Sequence, residues 1–380
     1  MIPFRFTMNL IMCVVVFQVS AATECFDTGA KNYSLEWAAQ GSSFFDDWDF
    51  GETDYTNGAV RYVGREEARN ESLTQVVDEF AILRAGPIEK DSNGARRKSL
   101  RLSSSKSFKY FLVAMKFSHT PFGCGVWPAF WSNGASGVWP TDGELDILEY
   151  WNHAKSEVSF HTAISETDGC KLDLAQVAKK GCPHFADVNN KFTPWYAGDC
   201  QTDYNEFPPR LGCAPTSDQH KLKTGEEYSN SPGVISAEWT EEYIKVFYIP
   251  EAQIPKDLES GAPQPDTWDD FIISYYPFAA SEKAHPGSCP AAGRGVSAAQ
   301  AFILNIELCG GRGSLEFPFM CNGPSLCRNH NYAGKGDCCT EYMTDKDKSD
   351  KAIAADAFFN ISYIKVWQDK KRASKDSVIV

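Results

Sequence analysis

The sequence predicts an all-β protein, either a sandwich or a jelly roll. Three observations favour this fold class. Short runs rich in β-branched and aromatic residues recur between turn clusters, several of these runs alternate apolar with polar residues, and no long segment has helical periodicity. Many short strands separated by Gly- and Pro-rich turns are typical of sandwiches and jelly rolls.

Eight runs are predicted to be strands. In chain order they lie at 59–63, 108–117, 143–150, 158–161, 233–239, 243–249, 302–308 and 359–367. Two of them contain the similar patterns Tyr-Ile-Lys-Val-Phe and Tyr-Ile-Lys-Val-Trp, in which a Lys stands between apolar neighbours, as it does in a half-buried strand.

The segments between these runs are polar. The segment 170–232 carries four cysteines, and we interpret it as a loop insertion held by disulfides, because a long loop without secondary structure needs such a constraint. The charged segment 344–351 is predicted to be a loop, and 369–380 a solvated C-terminal tail. No clean linker divides residues 22–368, which we expect to form one large domain.

The first 21 residues have the layout of a secretory signal peptide. Arg5 gives a positive start, Met8 to Val19 is a mainly apolar run, and Val19-Ser20-Ala21 offers a small-residue cleavage site. A buried N-terminal helix is the alternative, but the position and flanks of the run fit a signal better. We therefore expect a secreted, extracellular protein with no further segment that spans a membrane.

The cysteine content agrees with secretion. The chain has 13 Cys, and removing Cys13 with the signal leaves an even number, which suits up to six disulfides in an oxidising compartment. Free or metal-binding thiols are the alternative, but no Cys-x-x-Cys pair is present to bind zinc. Three Asn-x-Ser triplets, at Asn32, Asn70 and Asn360, permit N-glycosylation.

The charge excludes some partners. The formal net charge is −13 at pH 7, and an acidic surface argues against binding to nucleic acid or to an anionic membrane. It is compatible with a neutral substrate.

The segment Gly-Glu-Leu-Asp-Ile-Leu-Glu at 143–149 is the strongest candidate for catalysis. Side chains alternate between the faces of a strand, so Glu144 and Asp146 share a face, whereas Glu149 would point the other way. A β-bulge between Asp146 and Glu149 would return Glu149 to the shared face. The two glutamate carboxyls would then reach the separation of about 5–5.5 Å found in retaining glycosidases, rather than the roughly 6.5–9.5 Å of inverting ones.

Three acids on one strand more often form a solvated face or bind calcium. Here they alternate with Leu145, Ile147 and Leu148, which indicates that the opposite face is buried. Aromatic residues also flank the strand, and an aromatic platform beside paired carboxylates suits a sugar ring, although clustered aromatic residues are often core. They are Trp127, Phe130, Trp131, Trp139, Tyr150 and Trp151.

These residues resemble a known family. Glu-Leu-Asp-Ile-Leu-Glu, preceded by Trp-Pro-Ala-Phe-Trp at 127–131 and by Trp139-Pro140, resembles glycoside hydrolase family 16, and within it the fungal-type endo-1,3(4)-β-glucanases, or laminarinases. The resemblance extends from Phe44 to Trp367. It implies a concanavalin-like β-jelly-roll of two curved antiparallel sheets that binds β-glucan in its concave cleft. We expect a monomer that requires no cofactor, on a fold that can carry a structural calcium ion.

The resemblance implies a role for each acid. Glu144 would be the nucleophile and Glu149 the general acid/base, while Asp146 would hydrogen-bond the nucleophile and help control its protonation. Nearby negative charge would raise the pKa of Glu149 and keep it protonated for donation to the leaving group.

The same resemblance assigns six residues to substrate binding. The alternatives are core packing for the tryptophans, a structural role for the His, a common Asn-Gly turn for the Asn, and a surface charge for the Arg, whose neighbour Arg96 could take its place. The six are Trp127, Trp131, Trp139, His161, Asn57 and Arg97. One departure stands out, because Cys309-Gly310-Gly311-Arg312 has Arg312 where family members often have a Trp that holds sugar.

Three functions remain open at this point. The first is endo-hydrolysis of 1,3- or mixed 1,3/1,4-β-glucan. The second is a transglycosylase that remodels wall glucan, in which a sugar rather than water intercepts the covalent intermediate. The third is a non-catalytic β-glucan-binding protein, but relatives of that kind lose the catalytic glutamates, and both Glu144 and Glu149 are present.

Overall fold

The computed structural model describes residues 31–370, apart from 93, 168, 178–185, 188–197, 208, 217–220, 291–297 and 328–336. The predicted signal peptide at 1–21 and the predicted tail beyond Lys370 lie outside the described residues, as do Cys25 and Cys182.

Strands dominate the described residues. In chain order, β1 to β21 are Tyr33–Gln40, Trp48–Phe50, Val60–Tyr62, Thr74–Val77, Phe80–Arg84, Ile88–Asp91, Gly94–Ser99, Arg101–Phe108, Phe111–His119, Val126–Gly134, Glu144–Glu149, Glu157–His161, Ala186–Asp187, Thr202–Asp203, Arg210–Leu211, Pro215–Thr216, Gly233–Trp239, Ile244–Pro250, Ile272–Tyr276, Gln300–Leu308 and Phe358–Asp369. The helices, α1 to α8, are Arg65–Asn70, Gly225–Asn230, Lys256–Glu259, Phe278–Ala284, Gly311–Met320, Gly323–Leu326, Cys338–Met343 and Lys346–Asp356.

Most strands belong to two antiparallel sheets. The eight-stranded sheet has the order β19-β18-β17-β9-β21-β5-β4, with β1 also paired to β21, and the six-stranded sheet has the order β12-β11-β10-β20-β8-β2. A three-stranded sheet, β3-β7-β6, includes one parallel pair. Two small sheets, β13 with β16 and β14 with β15, come from the predicted insertion.

The main core lies between the two large sheets. Val113 on β9 of the larger sheet and Phe130 and Leu145 on the smaller sheet are fully buried in one cluster. Burying a side chain of this size stabilises the fold by roughly 1.5–3 kcal/mol. Because strand side chains alternate, the other face of the six-stranded sheet is free to carry polar residues.

The predicted strands agree with the structure, whereas one predicted loop does not. Each of the eight predicted runs contains all or part of a strand. The prediction of a loop at 344–351 is wrong, because α8 begins at Lys346. The Asp345 side chain caps this helix by accepting the N–H of Asp347, while Ser349 and Ile353 bury its inner face. Charged residues on the outer face hid this amphipathic pattern in the sequence.

Five disulfides join the described cysteines. They are Cys124–Cys321, Cys170–Cys289, Cys200–Cys213, Cys309–Cys339 and Cys327–Cys338. One of them closes a loop within segment 170–232, and a second ties the start of that segment to Cys289. Within the described part of the chain, no helix has the length and apolar character needed to cross a membrane.

Candidate active site

Strand β11 contains the predicted bulge. Asp146 pairs with Ser159 on β12 and Glu149 pairs with Glu157, so three steps along β11 match two steps along β12. The pairing of β11 with β10 on its other side shows the same one-residue shift. The prediction of a bulge between Asp146 and Glu149 is therefore confirmed.

The bulge sorts the side chains of β11 onto two faces. Three apolar side chains of β11 point into the core, and two of them are consecutive because the strand bulges there. The three inward residues are Leu145, Ile147 and Leu148. Glu144, Asp146 and Glu149 remain on the outward face of the six-stranded sheet, which we call the acid face.

His161 on β12 links two of the acids. Its Nε2 lies 3.2 Å from Asp146 Oδ2 and 3.9 Å from Glu144 Oε1, and its Nδ1 lies 3.1 Å from Thr202 Oγ1. Burial alone would lower the pKa of His161, but the hydrogen bond to Asp146 and the charges of the acids raise it to about 9. His161 is therefore a cation at neutral pH, so that Nε2 donates to Asp146 and Nδ1 to Thr202.

Glu144 has neighbours that favour its charged form. Burial, followed by the charge of Asp146, raises the pKa of Glu144 to about 8. The charges of His161 and Arg101 and a hydrogen bond from Trp139 act in the opposite direction and limit the rise.

Glu149 has surroundings that favour its protonated form. Burial is the largest cause that raises the pKa of Glu149 well above its usual value, and the charge of Asp146 is the second. Glu157 and Glu144 raise it further, while a 2.9 Å hydrogen bond from Trp127 Nε1 lowers it. Sequence reasoning named only the charge, but burial is the larger effect. Burial and the neighbouring carboxylates thus favour the protonated form of Glu149.

Arg312 lies at the end of the acid face beyond Glu149. It pairs with Glu157 at 3.2 Å and with Glu316 at 3.4 Å, and its guanidinium lies 4.0 Å from the centre of the Trp151 ring. Glu157 is directly opposite Glu149 in the sheet. Arg312 therefore partly neutralises the carboxylate next to Glu149 and covers a face of Trp151.

The three predicted tryptophans lie at different depths. Trp127 is half-buried and contacts Glu149 as described above. Trp131 is 9% exposed, donates to Asn305 Oδ1 at 2.7 Å, and lies beneath the Arg101 guanidinium, 4.9 Å from its ring centre. Trp139 is 40% exposed, with its ring centre 6.5 Å from that of His161. All three lie at the acid face, and their contacts with substrate stay a prediction.

The prediction that Arg97 binds substrate is wrong. Its side chain is only 2% exposed. The guanidinium donates to the carbonyls of Gly86 and Met343, to Ser349 Oγ and to Asp350 Oδ1. Arg97 therefore joins β7 to α7 and α8, and its role is structural.

Asn57 lies in an exposed turn with a left-handed φ of 57°. Asp54 shapes this turn by accepting the N–H groups of Thr56 and Gly58. Gly58 packs so closely on Glu307 that a Cβ would collide with its carboxylate. Because Glu307 pairs with Trp127 across the sheet, the turn borders the acid face, and the sugar contact of Asn57 stays a prediction.

Sequence reasoning missed Arg101. This residue begins β8, its guanidinium lies over the rings of Trp131 and Tyr55, and its charge acts on Glu144. It stands between the fully buried Leu100 and Leu102. The Leu-Arg-Leu alternation is the signal that could have identified it as an outward residue of a half-buried strand.

Sequence reasoning also missed Tyr204, which comes from the insertion. Its ring is nearly parallel to that of Trp139, with centroids 5.6 Å apart and an interplanar angle of 21°. No local pattern reveals this contact, because it depends on how the segment closed by Cys200–Cys213 folds back.

Two groups of potential metal ligands occur in the described part of the chain. They are Cys124 with His153 and Cys321, and Glu144 with Asp146 and His161, and within each group the ligand atoms lie within 4.8 Å of one another. Cys124 and Cys321 form a disulfide, so they offer no thiolate. In the second group, Asp146 already accepts hydrogen bonds from His161 Nε2 and Ser159 Oγ. Structural calcium stays a prediction.

Cleaving a glycosidic bond by double displacement requires one carboxylate that attacks and one carboxylic acid that donates a proton. Strand β11 presents two carboxyl groups on one face. The cations His161 and Arg101 lower the pKa of Glu144, whereas the charge of Glu157 raises that of Glu149. On an all-β sandwich whose acid face is rich in tryptophan, this division defines a glycosidase.

The chain belongs to glycoside hydrolase family 16. The family model described as "XgeA-like, catalytic GH16 domain" matches residues 48–367. This match confirms the predicted family over nearly all of the described chain.

Several fungal proteins are similar to this chain. An endo-1,3(4)-β-glucanase of Arthroderma benhamiae is 29% identical over 357 residues, which are 92% of this chain and 68% of that protein. A probable glycosidase of Schizosaccharomyces pombe is 32% identical over 65% of this chain and 54% of its own length. This chain covers 47% of a probable endo-1,3(4)-β-glucanase of Aspergillus clavatus. The chain thus spans about half the length of several of these relatives.

Solved structures confirm the predicted jelly-roll fold. Laminarinase 16A from Phanerochaete chrysosporium, solved with β-glucans in donor and acceptor sites, has a TM-score of 0.68 at 24% identity and covers 89% of this chain and 100% of its own. An elongating family 16 β-1,3-glucosyltransferase has a TM-score of 0.66 at 23% identity over 88% of this chain and 100% of its own.

Proposed function

We propose that this protein is a retaining endo-β-glucanase that hydrolyses 1,3- or mixed 1,3/1,4-linked β-glucans. The observation that carries the proposal is the bulge in β11, which brings Glu149 onto the same face as Glu144 and Asp146. The names of the fungal relatives and the β-glucans bound to the Phanerochaete laminarinase support the substrate class.

The proposed reaction has two displacements. In the first, the Glu144 carboxylate attacks the anomeric carbon while Glu149 gives its proton to the departing glycosidic oxygen, which leaves a glycosyl ester on Glu144. In the second, the Glu149 carboxylate takes a proton from water, the water oxygen attacks the anomeric carbon, and Glu144 is released. Two inversions give net retention.

The neighbours of each glutamate support this division of roles. The cationic His161 lies 3.9 Å from Glu144 and favours its anionic, attacking form. Asp146 accepts hydrogen bonds from His161 Nε2 and from Ser159 Oγ at 2.6 Å, and its charge acts on both glutamates. The proposed reaction requires an ionised Glu144 and a protonated Glu149, and this requirement gives a bell-shaped pH dependence.

A product profile tests the proposal. We expect laminarin and lichenan to be cut internally, cellulose and agarose to resist, and the first product seen by proton NMR to be the β-anomer. An α-anomeric first product would contradict retention, and failure on both laminarin and lichenan would contradict the substrate class.

Transglycosylation is a second candidate, because a structure with the same fold is described as an elongating β-1,3-glucosyltransferase. An acceptor sugar would then replace water in the second displacement. Incubation with a labelled acceptor oligosaccharide separates the two functions, since mainly elongated labelled chains would replace hydrolysis as the main activity.

We also propose that the protein is secreted. Five disulfides among the described cysteines and the signal-like first 21 residues support an oxidising, extracellular compartment. N-terminal sequencing of the protein recovered from culture medium tests this, with a start just after Ala21 expected and retention inside cells as the contrary result.

A further inference from the structure

We propose that Tyr204 extends the predicted sugar contact of Trp139 into a two-ring subsite at the Glu144 side of the acid face. The subsite would bind a neutral glucosyl residue of the β-glucan chain. This inference rests on the proposed function for the identity of its ligand, and on separate observations for its position and shape.

The two rings form an exposed aromatic wall beside the acids. They are nearly parallel, and 40% of Trp139 and 57% of Tyr204 remain exposed. Trp139 also hydrogen-bonds Glu144, and its ring lies 6.5 Å from that of His161. The wall therefore begins beside Glu144 and His161.

The segment that carries Tyr204 is anchored on both sides of the ring. A disulfide joins Cys200 to Cys213, and the short strands β14 and β15 pair between them. Cys213 exchanges backbone hydrogen bonds with Phe160 on β12, and the hydroxyl of Thr202 accepts from His161 Nδ1. Tyr204 is thus held in place before substrate arrives, which lowers the entropic cost of binding.

The chemistry of this wall fits a sugar better than a protein core. A stacked pair of rings exposes aromatic faces that attract the C–H groups of a pyranose, while the phenol hydroxyl of Tyr204 can exchange hydrogen bonds with sugar hydroxyls. Exposed apolar surface of this kind, next to polar catalytic groups, is typical of a binding site. By contrast, Trp151 is 3% exposed and is covered by Arg312.

Kinetics on laminari-oligosaccharides of increasing length test the subsite. We expect Tyr204→Ala to raise KM for laminarihexaose roughly 3- to 10-fold with kcat nearly unchanged, because one aromatic contact is lost. Laminaritriose occupies fewer subsites, so its KM should rise less. Tyr204→Phe keeps the ring and should stay within about twofold of the wild type.

Phe207 offers a matched control. It lies in the same segment and is 96% exposed, but it is not part of the stacked pair. Phe207→Ala should leave KM and kcat unchanged for both laminarihexaose and laminaritriose. Equal KM values for Tyr204→Ala and the wild type on laminarihexaose, with folding confirmed by the melting temperature, would overturn the subsite while leaving the proposed function intact.

Failure of the proposed function gives a different result, namely a wild type that cleaves no β-glucan. Calorimetric titration of laminarihexaose into the wild type and Tyr204→Ala then decides the inference on binding alone. Weaker binding by the variant would support the subsite, and equal or absent binding in both would overturn it.

Discussion

The acid face has two ends with opposite electrostatic character. The Glu144 end comprises Glu144, Trp139, His161 and Tyr204, and the Glu149 end comprises Glu149, Trp127, Trp151, Glu157 and Arg312. At the Glu144 end a cationic His161 faces the carboxyl group and the aromatic rings are open. At the Glu149 end a second carboxylate, Glu157, faces it, and Arg312 covers the aromatic ring.

This contrast shows how one strand can give two glutamate side chains different functions. Both glutamates are half-buried, and the charge of Asp146 acts on both. What differs is the neighbour supplied by β12, which is a cation opposite Glu144 and an anion opposite Glu149. The cation lowers the pKa of Glu144 and the anion raises that of Glu149.

The largest expected effect is the loss of the nucleophile. Glu144→Gln should lower kcat by at least about 10³-fold, because no other group can form the covalent intermediate. The measurement is initial hydrolysis of laminarin, with unchanged circular dichroism as the check on folding. Glu307→Gln, which changes another buried acid on the acid face, is the matched control and should keep most activity. Near-normal turnover by Glu144→Gln would remove it from the mechanism.

Loss of the proton donor should be severe but partly reversible. Glu149→Ala should lower kcat/KM by about 10²–10⁴-fold, because the leaving group departs without a proton. Sodium azide should restore part of the rate and give a β-glucosyl azide, since Glu144 still forms the intermediate and a small anion can enter the space left by the side chain. An α-azide, or no rescue together with normal activity of the variant, would contradict the assignment.

The Arg312–Glu157 pair should set the basic limb of the pH profile. Glu157→Gln removes an anion opposite Glu149, lowers the pKa of Glu149, and should move the basic limb of kcat/KM down by roughly half a unit to one unit. Arg312→Gln removes the compensating cation and should move the same limb upward. If the basic limb moves in the same direction in both variants, or moves in neither, the pair does not act on Glu149.

The smallest expected effect concerns stability. The folded-state pKa of Glu144, about 8, lies above that of an unfolded glutamate, so its ionisation opposes folding increasingly as pH rises from about 4.5 to 8. Glu144→Gln should therefore be more stable than the wild type by on the order of 1–3 kcal/mol at pH 8 and nearly equal at pH 4. Urea unfolding at the two pH values measures this, and a gain that is the same at both would contradict it.

Much of the active site could be predicted from local sequence. The face of each acid on β11 follows from the two-residue period of a strand, and the need for a bulge follows from the odd spacing between Glu144 and Glu149. Both features depend on one segment of six residues, so no knowledge of distant contacts was required. The roles of the acids and the assignment of the flanking tryptophans to substrate binding came from the family resemblance.

The rest depends on contacts between distant segments. Arg97 and Arg101 both stand in β-prone sequence, and only the pairing of β8 with β20, rather than with the three-stranded sheet, brings Arg101 to the acid face. Tyr204 reaches Trp139 only through the fold of a disulfide-closed segment. The Leu-Arg-Leu alternation indicates that Arg101 points outward but not which sheet its strand joins, and no local pattern places Tyr204 beside Trp139.

The bulge in β11 also means that this strand carries one surplus residue. Three steps along β11 match two steps along each neighbouring strand, so one residue between Asp146 and Glu149 has no partner of its own. Deleting Ile147 or Leu148 would therefore leave a regular strand in which Glu149 still lies opposite Glu157 and still shares a face with Glu144. Such a deletion would remove one of two fully buried side chains, so the surplus residue serves the packing of the core more than the alignment of the two glutamates.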